Sequence, residues 1–153
     1  MSFLIYLDVC CLNRPFDDQR QERVRLEAEA VLLILERCQS KEWTLLGSEA
    51  IEAEIGQIRD PDRLAQVQTL ARAATQQVLI DEFVERRVEE WVGQGFGVFD
   101  AFHLACAEVA DVTALLTTDD RFLRRAVRLG EMLKVRVANP LQWLLEVTSD
   151  ERE

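Results

Sequence analysis

The chain has 153 residues, of which 48% are hydrophobic and 30% charged, and this is the size and composition of one ordinary globular domain. Its formal net charge of −10 argues against binding nucleic acid by bulk attraction, although an acidic site that holds divalent cations can still receive phosphates. The sequence lacks both the ~20-residue apolar stretch of a membrane span and the basic start of a signal peptide, so we expect a cytoplasmic protein with no membrane partner.

Apolar runs and helix-period patterns alternate along the sequence. The predicted strands are 3–7, 43–47, 77–80, 113–117 and 133–137. The predicted helices are 22–39, 49–58, 59–75, 81–93, 100–110 and 120–130, followed by a last helix that begins at Asn139 and Pro140. This alternation predicts an α/β fold with a mainly parallel sheet that is covered on both faces. Residues 1–147 then form a single domain, and 148–153 are predicted to be a disordered acidic tail.

Acidic side chains recur where predicted strands end and helices begin. Asp8 ends the first strand, Asp119 follows the fourth, and Asp100 opens a helix. Ligands of open parallel sheets bind beyond the carboxyl ends of the strands, so these acids are expected at one edge. Glu54, in the helix after the second strand, is a fourth acid set apart by its position. If the four converge at separations of roughly 6 Å, their mutual repulsion is on the order of 15 kcal/mol, and they must protonate or bind cations.

The type of ligand indicates which cation. Carboxylate oxygens suit one or two Mg²⁺ or Mn²⁺ ions, and carboxylate-held Mg²⁺ is suited to phosphoryl transfer and phosphodiester hydrolysis. A zinc site is disfavoured because the chain has one histidine and its four cysteines form no C-x-x-C pair. We interpret the cysteines as reduced thiols that pack as small hydrophobic side chains.

Four segments of the sequence contain these acids, one of the four acids in each, in the order of the chain. They are "IYLDVCCLNRPF", "SEAIEAEI", "FDAFHLACA" and "LLTTDDRF". Together they resemble the PIN-domain ribonucleases, in particular the VapC-like toxins of type II toxin–antitoxin systems. The likeness covers about residues 3–137 and assigns Asp8, Glu54, Asp100 and Asp119 as the metal-binding and catalytic residues. In the second segment the glutamate follows the strand-end Ser48 by six positions, and the fourth has the form T-x-D-x-x-F.

The resemblance implies a fold, an activity and partners. The fold is a three-layer α/β/α arrangement around a five-stranded sheet, and the activity is metal-dependent endonucleolytic cleavage of RNA that leaves a 5′-phosphate. A toxin also implies an antitoxin protein that restrains it, and homodimers are usual in the family. Apolar side chains of the helices could form part of a dimer interface or could face only the core; they are Leu32, Leu35, Leu64 and Val67.

Further residues are candidates for supporting the site or binding substrate. They are Asn13, Arg14, Thr117, Asp120 and Arg121. Many relatives have an asparagine two residues after the first aspartate, where this chain has Cys10, and Asn13 is the nearest amide that could replace it. The Thr117 hydroxyl suits a water or a carboxylate of the site, whereas Asp120 suits a helix N-cap or a further acid.

Basic side chains lie on one face of the helix that follows Asp119. They are Arg121, Arg124, Arg125 and Arg128. Arginine forms forked contacts with phosphate, so this face suits an RNA backbone, but it equally suits a solvated stripe paired with the abundant acids. Arg14, just beyond the first strand, has a similar claim.

Two residues leave alternatives open. Glu49 is a rival to Glu54, and because the two are about 140° apart on a helix they cannot face one site equally; the family spacing favours Glu54. His103, three residues after Asp100, could act as a general base, but carboxylate–metal chemistry does not need one, so a packed and hydrogen-bonded histidine is the favoured interpretation.

Three other functions compete with the nuclease. A PIN-like fold could bind RNA or protein without cutting. A haloacid-dehalogenase-like, Mg²⁺-dependent phosphatase needs a second acid two residues after the first, where Cys10 stands. A response-regulator receiver domain needs a lysine after a late strand, whereas Lys134 precedes the core of its strand.

Overall fold

The computed structural model describes residues 2–152, with side chains for 2–149, and places helices on both faces of a central sheet. The strands are β1 Leu4–Leu7, β2 Thr44–Ser48, β3 Gln76–Val78, β4 Ala114–Leu116 and β5 Val137–Ala138. The helices are α1 Val9–Asn13, α2 Glu22–Gln39, α3 Glu49–Ile55, α4 Pro61–Ala71, α5 Glu82–Gly93, α6 Val98–Ala110, α7 Asp120–Leu129 and α8 Pro140–Arg152. The predicted three-layer α/β/α fold is confirmed.

The sheet has the strand order β3-β2-β1-β4-β5, and every described pair is parallel. β1 is central, and its Ile5 pairs with Leu45 of β2 and with Ala114 of β4. The connections leaving β1 and β4 lead to opposite sides of the sheet, and such a reversal opens a crevice beyond the carboxyl ends of the two strands. Asp8 and Thr117 directly follow these strands and therefore lie at the crevice.

In the first half of the chain the helix starts agree with the sequence pattern, whereas the predicted helices 49–58 and 59–75 end earlier, at Ile55 and Ala71. The predicted helix 22–39 is observed as α2 with the same bounds. Ser48 caps α3, since its hydroxyl accepts a hydrogen bond from the Ile51 amide at 3.1 Å. Asp60 likewise caps α4 ahead of Pro61. Capping residues are the reason that these boundaries can be read from sequence.

The fifth strand is shorter than predicted. Residues 133–137 alternate in hydrophobicity, but only Val137–Ala138 joins the sheet. β4 begins at Ala114, and its Leu115 and Leu116 already pair with Val137 and Ala138. Residues 133–135 therefore lie ahead of the start of β4 and do not pair with that strand.

Two of the three helices at the predicted site acids begin differently from expectation. α6 begins at Val98 with Gly97 as its N-cap, so Asp100 lies in the first turn rather than at the cap. Phe96 fixes this earlier start, because it is buried and packs its ring against Trp91 and Phe122. For α7 the N-cap is Asp119 and not Asp120.

The C-terminal end also differs from the prediction. Asn139 caps α8 by accepting a hydrogen bond from the Leu141 amide at 2.8 Å, and Trp143 and Leu144 anchor the helix in the core. Residues 148–152, assigned to the disordered tail, continue this helix, because extending an anchored helix costs little. Residue 153 lies outside the described residues, and the single domain 1–147 stays a prediction.

None of the helices in the described part of the chain combines the length and the apolar character needed to cross a lipid bilayer.

Candidate metal centre

Asp8 is held rigidly at the end of the central strand. Its amide donates to the Leu116 carbonyl at 3.1 Å, and its carboxylate Oδ1 accepts from the Cys11 amide at 3.1 Å, which caps α1. Only 4% of the residue is exposed. Burial, followed by the neighbouring Cys10 thiol, raises the pKa of the Asp8 carboxyl well above its usual range. Such a group needs a proton or a cation beside it.

Thr117 connects Asp8 to Asp119 across the crevice. Its fully buried hydroxyl accepts a hydrogen bond from the Asp119 amide at 3.1 Å and lies 3.3 Å from the Cys10 sulfur. The Asp119 carboxylate caps α7 by accepting from the Arg121 amide at 2.9 Å through Oδ1. The Thr117 hydroxyl therefore orients the segment that carries Asp119.

Asp100 lies in the electric field of the other three acids. Burial raises the pKa of its carboxyl to about 6, and repulsion from Asp8, Asp119 and Glu54 adds to the effect, whereas His103 opposes it. The four predicted acids, which are distant in sequence, are therefore neighbours beyond one edge of the sheet. They are not tightly packed: in the described part of the chain, the only three ligand-type side chains within 4.8 Å of one another are Asp8, Cys10 and Cys11.

Glu54 is oriented by a chain of buried side chains. Its Oε1 lies 2.6 Å from His103 Nε2, and His103 Nδ1 lies 2.6 Å from the Tyr6 hydroxyl. That hydroxyl bonds the Ser48 hydroxyl at 2.8 Å. His103 is 1% exposed and both of its ring nitrogens have partners, which agrees with a packed histidine rather than a free base.

Glu49 is engaged elsewhere. Its Oε1 accepts a hydrogen bond from the Ile80 amide at 2.6 Å, at the end of β3. Of the two rivals, Glu54 is the one beside Asp100.

The residues predicted at the periphery of the site have mostly structural partners. The Asn13 amide nitrogen donates to the Val9 carbonyl at 3.1 Å, and its oxygen accepts from Arg63 at 3.0 Å, so it does not replace the missing asparagine. Arg14 is bonded to Glu27 at 2.8 Å through Nε. Asp120 forms a two-pronged ion pair with Arg23, at 2.9 and 2.6 Å. Arg121, another of the five predicted peripheral residues, is exposed.

A buried carboxylate that the sequence did not single out lies behind this periphery. Glu27 is 1% exposed and accepts hydrogen bonds from Arg14, from Arg23 at 3.1 Å and from the Asn139 amide at 2.6 Å. Glu27 occupies an inward-facing position in the helical pattern of α2, and this position is the feature of the sequence that could have identified it as a buried acid. We call these four residues the Glu27 hub.

Cys10 is the second residue that sequence reasoning missed. It is half-buried, and its sulfur lies 2.8 Å from Asp8 Oδ1 and 3.3 Å from the Thr118 amide nitrogen. Hydrogen bonds, above all one with Cys11, lower the pKa of the Cys10 thiol to about 6. The interpretation of the cysteines as buried hydrophobic side chains holds for Cys11, Cys38 and Cys106 but is wrong for Cys10.

Comparisons with known proteins agree with this fold. The family model for the PIN domain matches residues 5–128. The structure of VapBC2 from Rickettsia felis bound to a DNA fragment from its promoter has a TM-score of 0.56 and 11% identity over 89% of this chain and 98% of that chain. VapBC-1 from nontypeable Haemophilus influenzae has a TM-score of 0.57 and 14% identity over 90% and 98%.

A third solved structure, PAE2754 from Pyrobaculum aerophilum, has a TM-score of 0.54 and 15% identity over 97% of this chain and 99% of that chain. At these identities the likeness shows a shared fold. No curated protein matches the sequence.

Proposed function

This chain belongs to the PIN domain family, and on that premise we propose that it is a metal-dependent endoribonuclease that hydrolyses RNA phosphodiester bonds. The observation that carries the proposal is the convergence of acids beyond the carboxyl ends of β1 and β4. Asp8, Asp119 and Glu54 each repel the Asp100 carboxylate, and the four come from different parts of the chain. Helix capping accounts for the positions of Asp8 and Asp119 but not for those of Asp100 and Glu54, which neither cap a helix nor face an internal arginine in the described contacts.

The donor set fits a hard divalent cation. Asp8, Glu54, Asp100 and Asp119 would hold one or two Mg²⁺ or Mn²⁺ ions, since carboxylates that repel one another are stabilised by a cation among them. In both Asp8 and Asp119 the hydrogen bond that caps the helix goes to Oδ1, so Oδ2 would be available to a cation. A bound cation supplies Lewis-acid chemistry, which activates water and offsets charge on the leaving oxygen.

The residues of the chain contribute rigid placement. Asp8 is fixed by its hydrogen bond to β4 and by the helix that it caps, and Asp119 by the Thr117 hydroxyl and the helix that it caps. His103 orients Glu54. Ligands held in this way need little rearrangement during the reaction, which is the main requirement of a preorganised site.

Exposed arginines of α7 would hold the RNA backbone. Arg121, Arg124 and Arg128 are exposed and follow Asp119 directly along the chain. Arginine binds phosphate through two parallel hydrogen bonds, so this face would position the scissile strand beside the acids. Arg14, in contrast, is occupied by Glu27 and Asp17, so we assign it to the Glu27 hub rather than to the substrate.

The cellular role proposed here is that of a cytoplasmic toxin. Two of the similar structures are VapBC2 and VapBC-1. We infer an antitoxin protein that places a basic side chain over the acidic edge, and a homodimer. Co-expression with the product of a neighbouring small gene should restore the growth of cells that make this chain; unrestored growth with every neighbouring product would reject the toxin role.

The direct test of the activity is cleavage of total RNA or tRNA with Mg²⁺ or Mn²⁺. Glu54→Gln should abolish cleavage, whereas Glu49→Gln, one and a half turns away on the same helix, should retain it. Equal activity of the two variants would remove Glu54 from the site. Binding of Mn²⁺ without any cleavage would favour a PIN-like module that only binds RNA or protein.

A further inference from the structure

The sulfur of Cys10 lies beside the Asp8 carboxylate rather than in the core. It is 2.8 Å from Asp8 Oδ1 and 3.3 Å from the Thr117 hydroxyl, which also bonds the Asp119 amide. A cation bound at Asp8 would therefore lie near this sulfur as well as the carboxylate. Cys10 is half-buried, whereas the other three cysteines are buried.

Resting on the function proposed above, we propose that Cys10 supplies a thiolate ligand to the metal centre at Asp8, so that the centre prefers thiophilic divalent ions such as Zn²⁺ and Co²⁺ to Mg²⁺. The thiol proton passes to solvent when the ion binds. The proposal replaces the all-oxygen site expected from the sequence with a mixed oxygen and sulfur site.

The spacing of the donors suits a shared ion. Zinc binds sulfur at ~2.3 Å and carboxylate oxygen at ~2.0–2.2 Å, so two such ligands of a tetrahedral ion lie about 3.5 Å apart. Cys10 and Asp8 need to separate by less than about 1 Å from their present contact to reach that distance. A change of this size is within the range of a side-chain rotation.

Cys10 is better suited to this role than the other cysteines. Cys11 also lies within 4.8 Å of Asp8 and Cys10, but it is fully buried and its thiol donates to the Leu116 carbonyl at 3.3 Å. Cys38 and Cys106 are buried in the core. They therefore serve as matched controls.

The sulfur changes the order in which ions bind. Mg²⁺ binds oxygen ligands and has little affinity for thiolate, whereas affinity for mixed sites rises from Mn²⁺ through Co²⁺ toward Zn²⁺. Replacing Cys10 by serine should therefore weaken Zn²⁺ and Co²⁺ binding by about tenfold or more and change Mg²⁺ binding by less than about twofold.

The experiment titrates the purified chain with Co²⁺ alone and records its absorption spectrum. Thiolate bonded to Co²⁺ gives an intense near-ultraviolet charge-transfer band that carboxylate ligation does not give. We expect the band in the wild type, its loss in Cys10→Ser and Asp8→Asn, and its persistence in a variant with Cys11, Cys38 and Cys106 all replaced by serine, where Cys10 is the only thiol.

Several outcomes overturn the proposal. One is Co²⁺ that binds the wild type, as shown by a thermal shift lost in Asp8→Asn, without the band. Another is a band that survives in Cys10→Ser or disappears from the folded triple variant. RNA cleavage with Mn²⁺, measured on the same samples, separates the two proposals: the band without cleavage supports the thiolate ligand and refutes the nuclease, and cleavage without the band does the reverse.

Discussion

Asp8 and Glu27 are carboxylates buried to nearly the same extent, 4% and 1% exposed, but their surroundings are opposite. Glu27 receives two arginines and an asparagine amide, so its charge is compensated within the chain. In the described residues no arginine or lysine forms an ion pair with Asp8, which instead lies near Asp100. The comparison teaches that burial alone does not mark a functional acid; the absence of an internal counter-charge does.

The two carboxylates differ physically in how the free-energy cost of removing each from water is offset. Removing a carboxylate from water costs several kcal/mol, and a well-placed arginine offsets that cost in the folded state. The Glu27 hub is complete without a ligand. The acids around Asp8 have no such internal partner in the described residues, and in the function proposed above a cation would supply the missing charge.

The largest expected effect that tests this difference comes from neutralising the acids around Asp8 one at a time. Asp8→Asn and Asp100→Asn should each lower the rate of RNA cleavage by about a thousandfold, because each removes charge that would hold the cation. Single-turnover cleavage with Mn²⁺ measures the loss, and Glu29→Gln, an exposed acid on α2, is the control. Retention of wild-type rates would show that these acids are not part of the chemistry.

The Glu27 hub should respond in the opposite sense. Glu27→Gln leaves Arg14 without its main partner and should reduce the free energy of unfolding by about 3 kcal/mol while Mn²⁺ binding is retained. Urea denaturation and a Mn²⁺ titration of the same variant measure the two effects. A stable variant that has lost Mn²⁺ binding would reverse the assignment of the two regions.

The repulsion among the site acids predicts a stabilising substitution. Because burial and its acidic neighbours raise the pKa of Asp100 to about 6, its charge is unfavourable at neutral pH. Asp100→Asn should therefore increase the free energy of unfolding of the metal-free protein by about 1–2 kcal/mol. Asp111→Asn, at the exposed C-terminal end of the same helix, should change it little. Destabilisation by Asp100→Asn would mean that the acids do not repel one another.

The smallest expected effect concerns the support of Glu54. Tyr6→Phe removes the hydroxyl that bonds His103 and Ser48, and it should lower cleavage by about tenfold through a less well oriented Glu54. A merely structural hydroxyl would change the melting temperature alone, so Mn²⁺ affinity is measured beside stability. An unchanged affinity would remove Tyr6 from the positioning of the site.

Local patterns predicted much of the fold and the outline of the site. The unbroken apolar run of β1, the caps of α3 and α4 and the acids at strand ends are all local signals, and each depends on a few adjacent residues. Periodicity also marked the helix faces, but it could not separate Leu35, 3% exposed, and the fully buried Val67 from Leu32, 45% exposed. That distinction depends on which helices are neighbours.

Local sequence patterns could not predict contacts between residues that are far apart in the sequence. The hydrogen bond between Asn139 and Glu27 joins residues 112 positions apart, and the contact of Cys10 with Thr117 joins residues 107 apart. Glu27 looked like one of many helix acids, and Cys10 like a small hydrophobic side chain. Only the packing of α1 against the end of β4 gives the Cys10 sulfur its place among the acids.

The central claim is that the acids beyond β1 and β4 require a divalent cation that the Glu27 hub does not need. The most direct measurement is the melting temperature of the wild type and of Asp8→Asn as a function of Mn²⁺ concentration. The account predicts that the wild type is stabilised in proportion to ln(1 + [Mn²⁺]/Kd) and that Asp8→Asn is not. A wild-type melting temperature that does not change with Mn²⁺ concentration, or an equal rise in both proteins, would contradict this claim.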